Sequence, residues 1–243
     1  MKLADRVSER YALALILLVI ALVYSIAMPD GDWQRIVAML LQGIALFATL
    51  AAAEAAPRLL RLFVVVLVGT LLGAVAQAGL TDSDGVTFVR ISVLVILLAS
   101  LPLVAVGLIR QVRTDRKISV QTMMGVLCAY LLIMSSFAYS YAVIGQVGSE
   151  AFFNQGAQWN TIGDYIYFSL ITITTVGFGD FTPATDLGRS LAAAEALVGQ
   201  IYMVTVVAVI VSNLGRTQPR SMDGPDPGHE AADRAAAPGG RES

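Results

Sequence analysis

The chain of 243 residues is short of the groups on which most protein chemistry depends, with one Cys, one His, two Trp and only 14% charged residues. A single thiol, Cys128, allows no internal disulfide, and its place in an apolar run gives it the role of a small buried side chain. The lone imidazole, His229, leaves no Ser-His-Asp arrangement and no cluster of metal ligands. No enzyme site and no cofactor are expected, and nothing points to a nucleic-acid partner.

What replaces charge is apolar sequence. Hydrophobic residues make up 56% of the chain and the mean hydropathy is +0.72, whereas soluble domains carry about a quarter charged residues. Runs long enough to cross a bilayer, at about twenty residues per crossing, extend over Tyr11–Met28, Trp33–Ala53, Leu59–Ala78, Val86–Ile109, Val120–Ile144 and Leu187–Leu214. The expected fold is an all-α membrane protein with six transmembrane helices. The basic residues ahead of Tyr11 suggest a leader, but the run that follows exceeds the usual h-region of about 7–15 residues, so the first helix is expected to be retained.

Cytoplasmic loops are enriched in Lys and Arg. With both termini cytoplasmic, all of the 16 basic residues except Arg35, Arg90 and Arg189 fall on the inner side. The outer loops carry Asp30, Asp32, Asp82, Asp84, Glu150, Asp164, Asp180 and Asp186, an acidic mouth that concentrates cations if it surrounds a pore.

Between the fifth and sixth apolar runs stands Thr174-Thr175-Val176-Gly177-Phe178-Gly179-Asp180. Gly177 and Gly179 accept positive φ without a Cβ penalty, and irregular backbone at membrane depth is tolerated only where protein buries it or it lines a watery path. Just before it, Thr161-Ile162-Gly163-Asp164 has capping-box spacing, so a short helix is expected from there to Thr174, its negative end pointing inward. No further glycine or Walker lysine follows to make a phosphate cradle.

The run from Tyr167 to Asp180, with Pro183, resembles the pore signature of the tetrameric potassium channel superfamily, and with its flanking helices the resemblance covers Lys117 to Gly215. It implies a re-entrant pore helix followed by a selectivity filter, in which carbonyls of Thr175, Val176, Gly177, Phe178 and Gly179 replace the hydration shell of K+. It further implies filter support from Thr174, Asp180, Tyr167 and Phe168, with Tyr165 in the same aromatic cuff. Two positions depart from relatives. The filter aromatic, often tyrosine, is Phe178 and lacks a hydroxyl, and Ile171 occupies a place where some relatives carry a carboxylate.

In the sixth helix Glu195 is an acid within an apolar run, costly in a bilayer and functional by default; it is expected to brace the pore helix by hydrogen bonding. Gly199 resembles the family's gating hinge, although a small residue also permits close helix packing. Met203 and Val207, four apart on one face, are candidates to line a cavity, and Val211 to narrow the inner mouth.

Three units follow: a four-helix membrane domain over 1–116, a pore domain over 117–215 and a disordered cytoplasmic tail over 216–243. The first unit has the plan of a voltage sensor, yet its fourth helix carries no arginine between Arg90 and Arg110. Arg110, Arg113 and Arg116 repeat every third residue among polar neighbours and read as anchors at the inner surface, with Glu54 as one potential partner. The loop Gly79–Gly85 is too short for a second filter, so a homotetramer is expected. The overall expectation is a K+ channel of the plasma membrane that is not voltage-gated and has no soluble ligand-binding domain. A less selective cation channel gated by stretch, lipid or voltage, and a non-conducting membrane regulator, are the alternatives.

Overall fold

The computed structural model describes residues 2–28, 32–53, 57–77, 83–115, 120–148, 150–155 and 161–214. It is all-helical: α1 (Lys2–Ala27), α2 (Asp32–Ala52), α3 (Pro57–Gln77), α4 (Ser83–Asp115), α5 (Val120–Val147), α6 (Ile162–Ile173) and α7 (Asp186–Leu214). Each long helix carries the described part of one apolar run, to within a residue at its end, and α6 is the added short one. Among the described residues, Arg10–Ala27, Thr87–Arg110, Thr122–Val147 and Asp186–Val209 are long and apolar enough to cross a membrane, while Ile36–Ala52 and Ile162–Ile173 are shorter apolar stretches.

Several helices outrun their apolar stretches, because backbone hydrogen bonding continues into polar sequence at a helix end. Helix α5 continues to Val147, past the Ile144 at which its apolar run ends, and α4 continues through Arg110 and Arg113 to Asp115. The tail over 216–243, Glu54 and the side chains of Arg113 and Arg116 lie outside what is described.

Helix α5 is the hub, packing against α1, α2, α4, α6 and α7. One apolar core, with Tyr11 and Leu18 of α1, Leu46 and Leu50 of α2, Leu97 and Val104 of α4, and Cys128 and Leu132 of α5, joins the first helices to it. A second joins Leu22 of α1 to Tyr130, Met134, Ile166 and Ile173. A third, aromatic core of Tyr141, Phe152, Phe153, Tyr165 and Phe168 lies between α5, the 150–155 loop and α6. Helix α6 is thereby held on several sides.

Candidate functional site

Helix α6 begins at a closed capping box. The Thr161 hydroxyl accepts from the Asp164 N–H at 3.2 Å while the Thr161 N–H donates to Asp164 Oδ2 at 2.9 Å, satisfying two donors that a helix start leaves orphaned. At the other end Thr174 caps the helix, its N–H bonded to the Leu170 carbonyl and its hydroxyl donating to the same oxygen at 2.6 Å. Beyond that cap the chain leaves regular structure.

The backbone from 174 to 180 has one distinguishing geometry. Thr175, Gly177 and Gly179 have φ of 59°, 48° and 81°, and Thr175 is the only non-glycine residue with positive φ among those described. Reversing φ at every second residue turns alternate peptide planes over, which lets successive carbonyls share one side instead of alternating as in a strand. For a β-branched residue such as Thr175 the left-handed region is unfavourable by about 1–2 kcal/mol. Two backbone bonds hold the distortion, Thr175 N–H to the Thr172 carbonyl and Gly177 N–H to the Ile171 carbonyl, both 3.0 Å. Residues 174–180 are exposed on the single chain, Val176 and Phe178 by 53% and 69%.

The outer end of this segment is tied back to α6. The Tyr167 hydroxyl donates to Asp180 Oδ2 at 2.8 Å, and Phe181 meets the rings of Tyr167 and Phe153 edge-on, with centroids 5.7 and 5.0 Å apart. Among the described residues Phe178 makes no ring contact of this kind. Tyr165 and Phe168 are buried in the aromatic core, Tyr165 stacked on Phe153 at 5.2 Å. The return chain is fixed by Ala184 N–H to the Phe152 carbonyl at 2.8 Å and Asn154 N–H to the Thr182 carbonyl at 3.0 Å.

Behind α6 lies Glu195, fully buried on α7. Tyr141 of α5 donates to its Oε2 at 2.6 Å, and the Ser169 hydroxyl of α6 reaches both its Oε1 and the Met134 carbonyl of α5, the latter at 2.7 Å. One carboxyl thus joins three helices. At the foot of α6 the Ile173 carbonyl accepts from Tyr130 at 2.9 Å, and an ideal Cβ on Gly199 would stand 2.5 Å from that same oxygen. Gly199 therefore sits at a close helix crossing, in an α7 that runs unbroken from Asp186 to Leu214. Met203, Val207 and Val211 are exposed by 43%, 54% and 61% on the next turns.

Sequence reasoning named Glu195 but not Tyr141, Ser169 or Tyr130. Only the burial of a carboxyl hinted that donors must face it. It also missed Phe152, Phe153 and Phe181, for which the density of aromatics around 152–181 was the available signal.

Comparison with known proteins covers this part of the chain. Residues 125–216 match the ion channel family. The chain is 47% identical over 49 residues to probable potassium channel protein 2 of Methanocaldococcus jannaschii, 19% of this chain and 14% of that protein. It is 35% identical over 74 residues to potassium voltage-gated channel subfamily A member 5 of Homo sapiens, 30% of this chain and 12% of the other. Against two pore potassium channel a of Oryza sativa the identity is 33% over 92 residues, 38% of this chain and 23% of the other. The chain thus spans less than a quarter of the length of these relatives. The match to the ion channel family comprises α5 from Gly125, α6, the 174–180 segment and α7, and together with these relatives it supports a member of the potassium channel superfamily. This is a family of channels, not of enzymes.

Proposed function

We propose that the protein is a homotetrameric K+ channel of the plasma membrane, with six transmembrane helices per subunit, cytoplasmic termini and α6 as a re-entrant pore helix. Potassium passes in single file along the carbonyls of Thr175, Val176, Gly177, Phe178 and Gly179, each ion helped onward by repulsion from the next. Tyr167, Asp180, Thr174, Phe168 and Glu195 support this filter, and Met203, Val207 and Val211 line the path below it. The observation that carries the reading is the alternation of positive φ at 175, 177 and 179 on a segment that is exposed on the single chain. Residues 1–116 form an accompanying membrane domain, 117–215 the pore and 216–243 a cytoplasmic tail. With no arginine between Arg90 and Arg110, the fourth helix holds too little charge for steep voltage dependence, since each charge moved is worth about 2.3 kcal/mol per 100 mV.

The test is K+ against Na+ flux through purified tetramers in liposomes, beside Gly177→Ala. Nothing lies within 4 Å of an ideal Cβ at Gly177 in the single chain, so the substitution acts through backbone conformation and not through a clash there. Barium-sensitive K+ flux that the variant loses is the expected result. Comparable Na+ flux in the wild type would favour a less selective cation channel, the reading that Phe178, with no hydroxyl to anchor it, supports. Silence from intact tetramers under voltage, stretch and changed lipid would favour a non-conducting regulator.

A further inference from the structure

Arg90 stands about two turns inside α4, which starts at Ser83, in the stretch Thr87–Arg110 that is apolar enough to cross a membrane. A cation at such a site is costly and marks a functional position, to be explained by its partners. Among these are groups on the pore domain. Arg90 Nη1 donates to Gln146 Oε1 at 2.9 Å and to the Ala142 carbonyl at 3.3 Å, both in the last turns of α5, where a helix presents partial negative charge. The guanidinium carbon also lies 6.0 Å from the centroid of the Tyr165 ring, at the limit of a favourable cation–π contact.

Tyr165 is fully buried on the pore helix and stacks on Phe153, whose ring meets Phe181, the residue that follows Asp180. A path of direct contacts therefore leads from a charge on α4 to the outer end of the filter. We propose that Arg90 is a positioning residue for the filter: a fixed charge that clamps the outer end of α4 to α5 and bears on the pore helix through Tyr165. The inference rests on reading residues 174–180 as the filter. Its charge is stationary, because travel across the membrane would forfeit the α5 and Tyr165 partners together.

The experiment uses full-length tetramers in liposomes, wild type beside Arg90→Gln, Arg90→Lys and Tyr165→Leu, with two readouts. The first, backbone hydrogen exchange of residues 162–173, needs no conduction. Arg90→Gln is expected to speed exchange there about tenfold, as local opening becomes easier, while the inner half of α7 stays unchanged. Arg90→Lys, which keeps the charge and a donor, restores most of the protection, and Arg90→Gln adds little to Tyr165→Leu. The second readout is the K+ to Na+ permeability ratio, expected to fall in Arg90→Gln and recover in Arg90→Lys. Unchanged exchange in α6 would overturn the proposal. So would acceleration spread equally over α1, α4 and α7, which marks general loosening, or reduced charge movement on a voltage step with α6 unaffected, which marks a mobile gating charge. A wild type without K+ flux would count against the filter reading, and the exchange data would still decide the clamp.

Discussion

Thr175 shows what a residue type does and does not announce. Two glycines at 177 and 179 are visible in the sequence as places where φ turns positive, and both do so, but the same turn at Thr175 with φ 59° goes against the preference of a β-branched side chain. It arises because the alternation must continue one step below the glycines, and the Thr172 carbonyl is there to receive the Thr175 N–H. Glu195 is the complementary case. Its presence in an apolar run is legible, but its partners Tyr141 and Ser169 lie 54 and 26 residues away, a separation that no local pattern encodes. Glu195→Ala leaves the buried Tyr141 hydroxyl without its acceptor and Ser169 with only the Met134 carbonyl. A buried donor left unpaired costs about 1–3 kcal/mol, so the variant protein should melt at a lower temperature in detergent. Glu195→Gln, which keeps a carbonyl acceptor, should fall less, and an Ala variant that melts with the wild type would remove the bracing role.

At the scale of the element, α6 was the most legible. A capping box and a glycine-rich exit locate its ends, and the helix Ile162–Ile173 has both capping bonds. Helix ends beside plain polar sequence were less so: α4 and α5 extend beyond their apolar runs to Asp115 and Val147, where nothing in the residue types stops a helix already propagating. Helix α7 poses a sharper question at Gly199. Glycine there serves either as a hinge or as a point of close approach, and the two uses predict different consequences for Gly199→Ala. The added Cβ meets backbone, the Ile173 carbonyl at 2.5 Å, and not a flexible side chain. That oxygen is also held by Tyr130, so α6 cannot yield without loosening a second bond. Overpacking of this kind costs about 1–3 kcal/mol. The expected result is a lower melting temperature of the protein; unchanged melting with altered opening would instead make Gly199 a hinge alone.

At the scale of the molecule, the relation between the first four helices and the pore was not legible, since apolar runs of similar length do not say which neighbours they choose. Helix α1 packs along α5 and α6 of its own chain. Tyr11 and Leu18 join the core around Cys128 and Leu132, Leu22 reaches Ile166, and an ideal Cβ on Gly163 would collide with the Ser25 carbonyl. Arg90 adds a polar tie from α4 to α5. In a bilayer, where lipid tails are as apolar as Leu, such association depends on close packing and hydrogen bonds more than on the hydrophobic effect, and here both are present along lateral faces. Coupling between the two halves therefore does not require the peptide link between α4 and α5. A channel expressed as two chains, 1–116 and 117–243, should assemble in the membrane with the K+ to Na+ permeability ratio of the intact protein, within about twofold since no interhelical contact is lost. Adding Arg90→Gln to the first chain should reproduce the defect of the single-chain variant, because the lateral contact is the same in both. A split channel that assembles fully but loses selectivity would place the coupling in the covalent linker and leave the lateral faces as packing only.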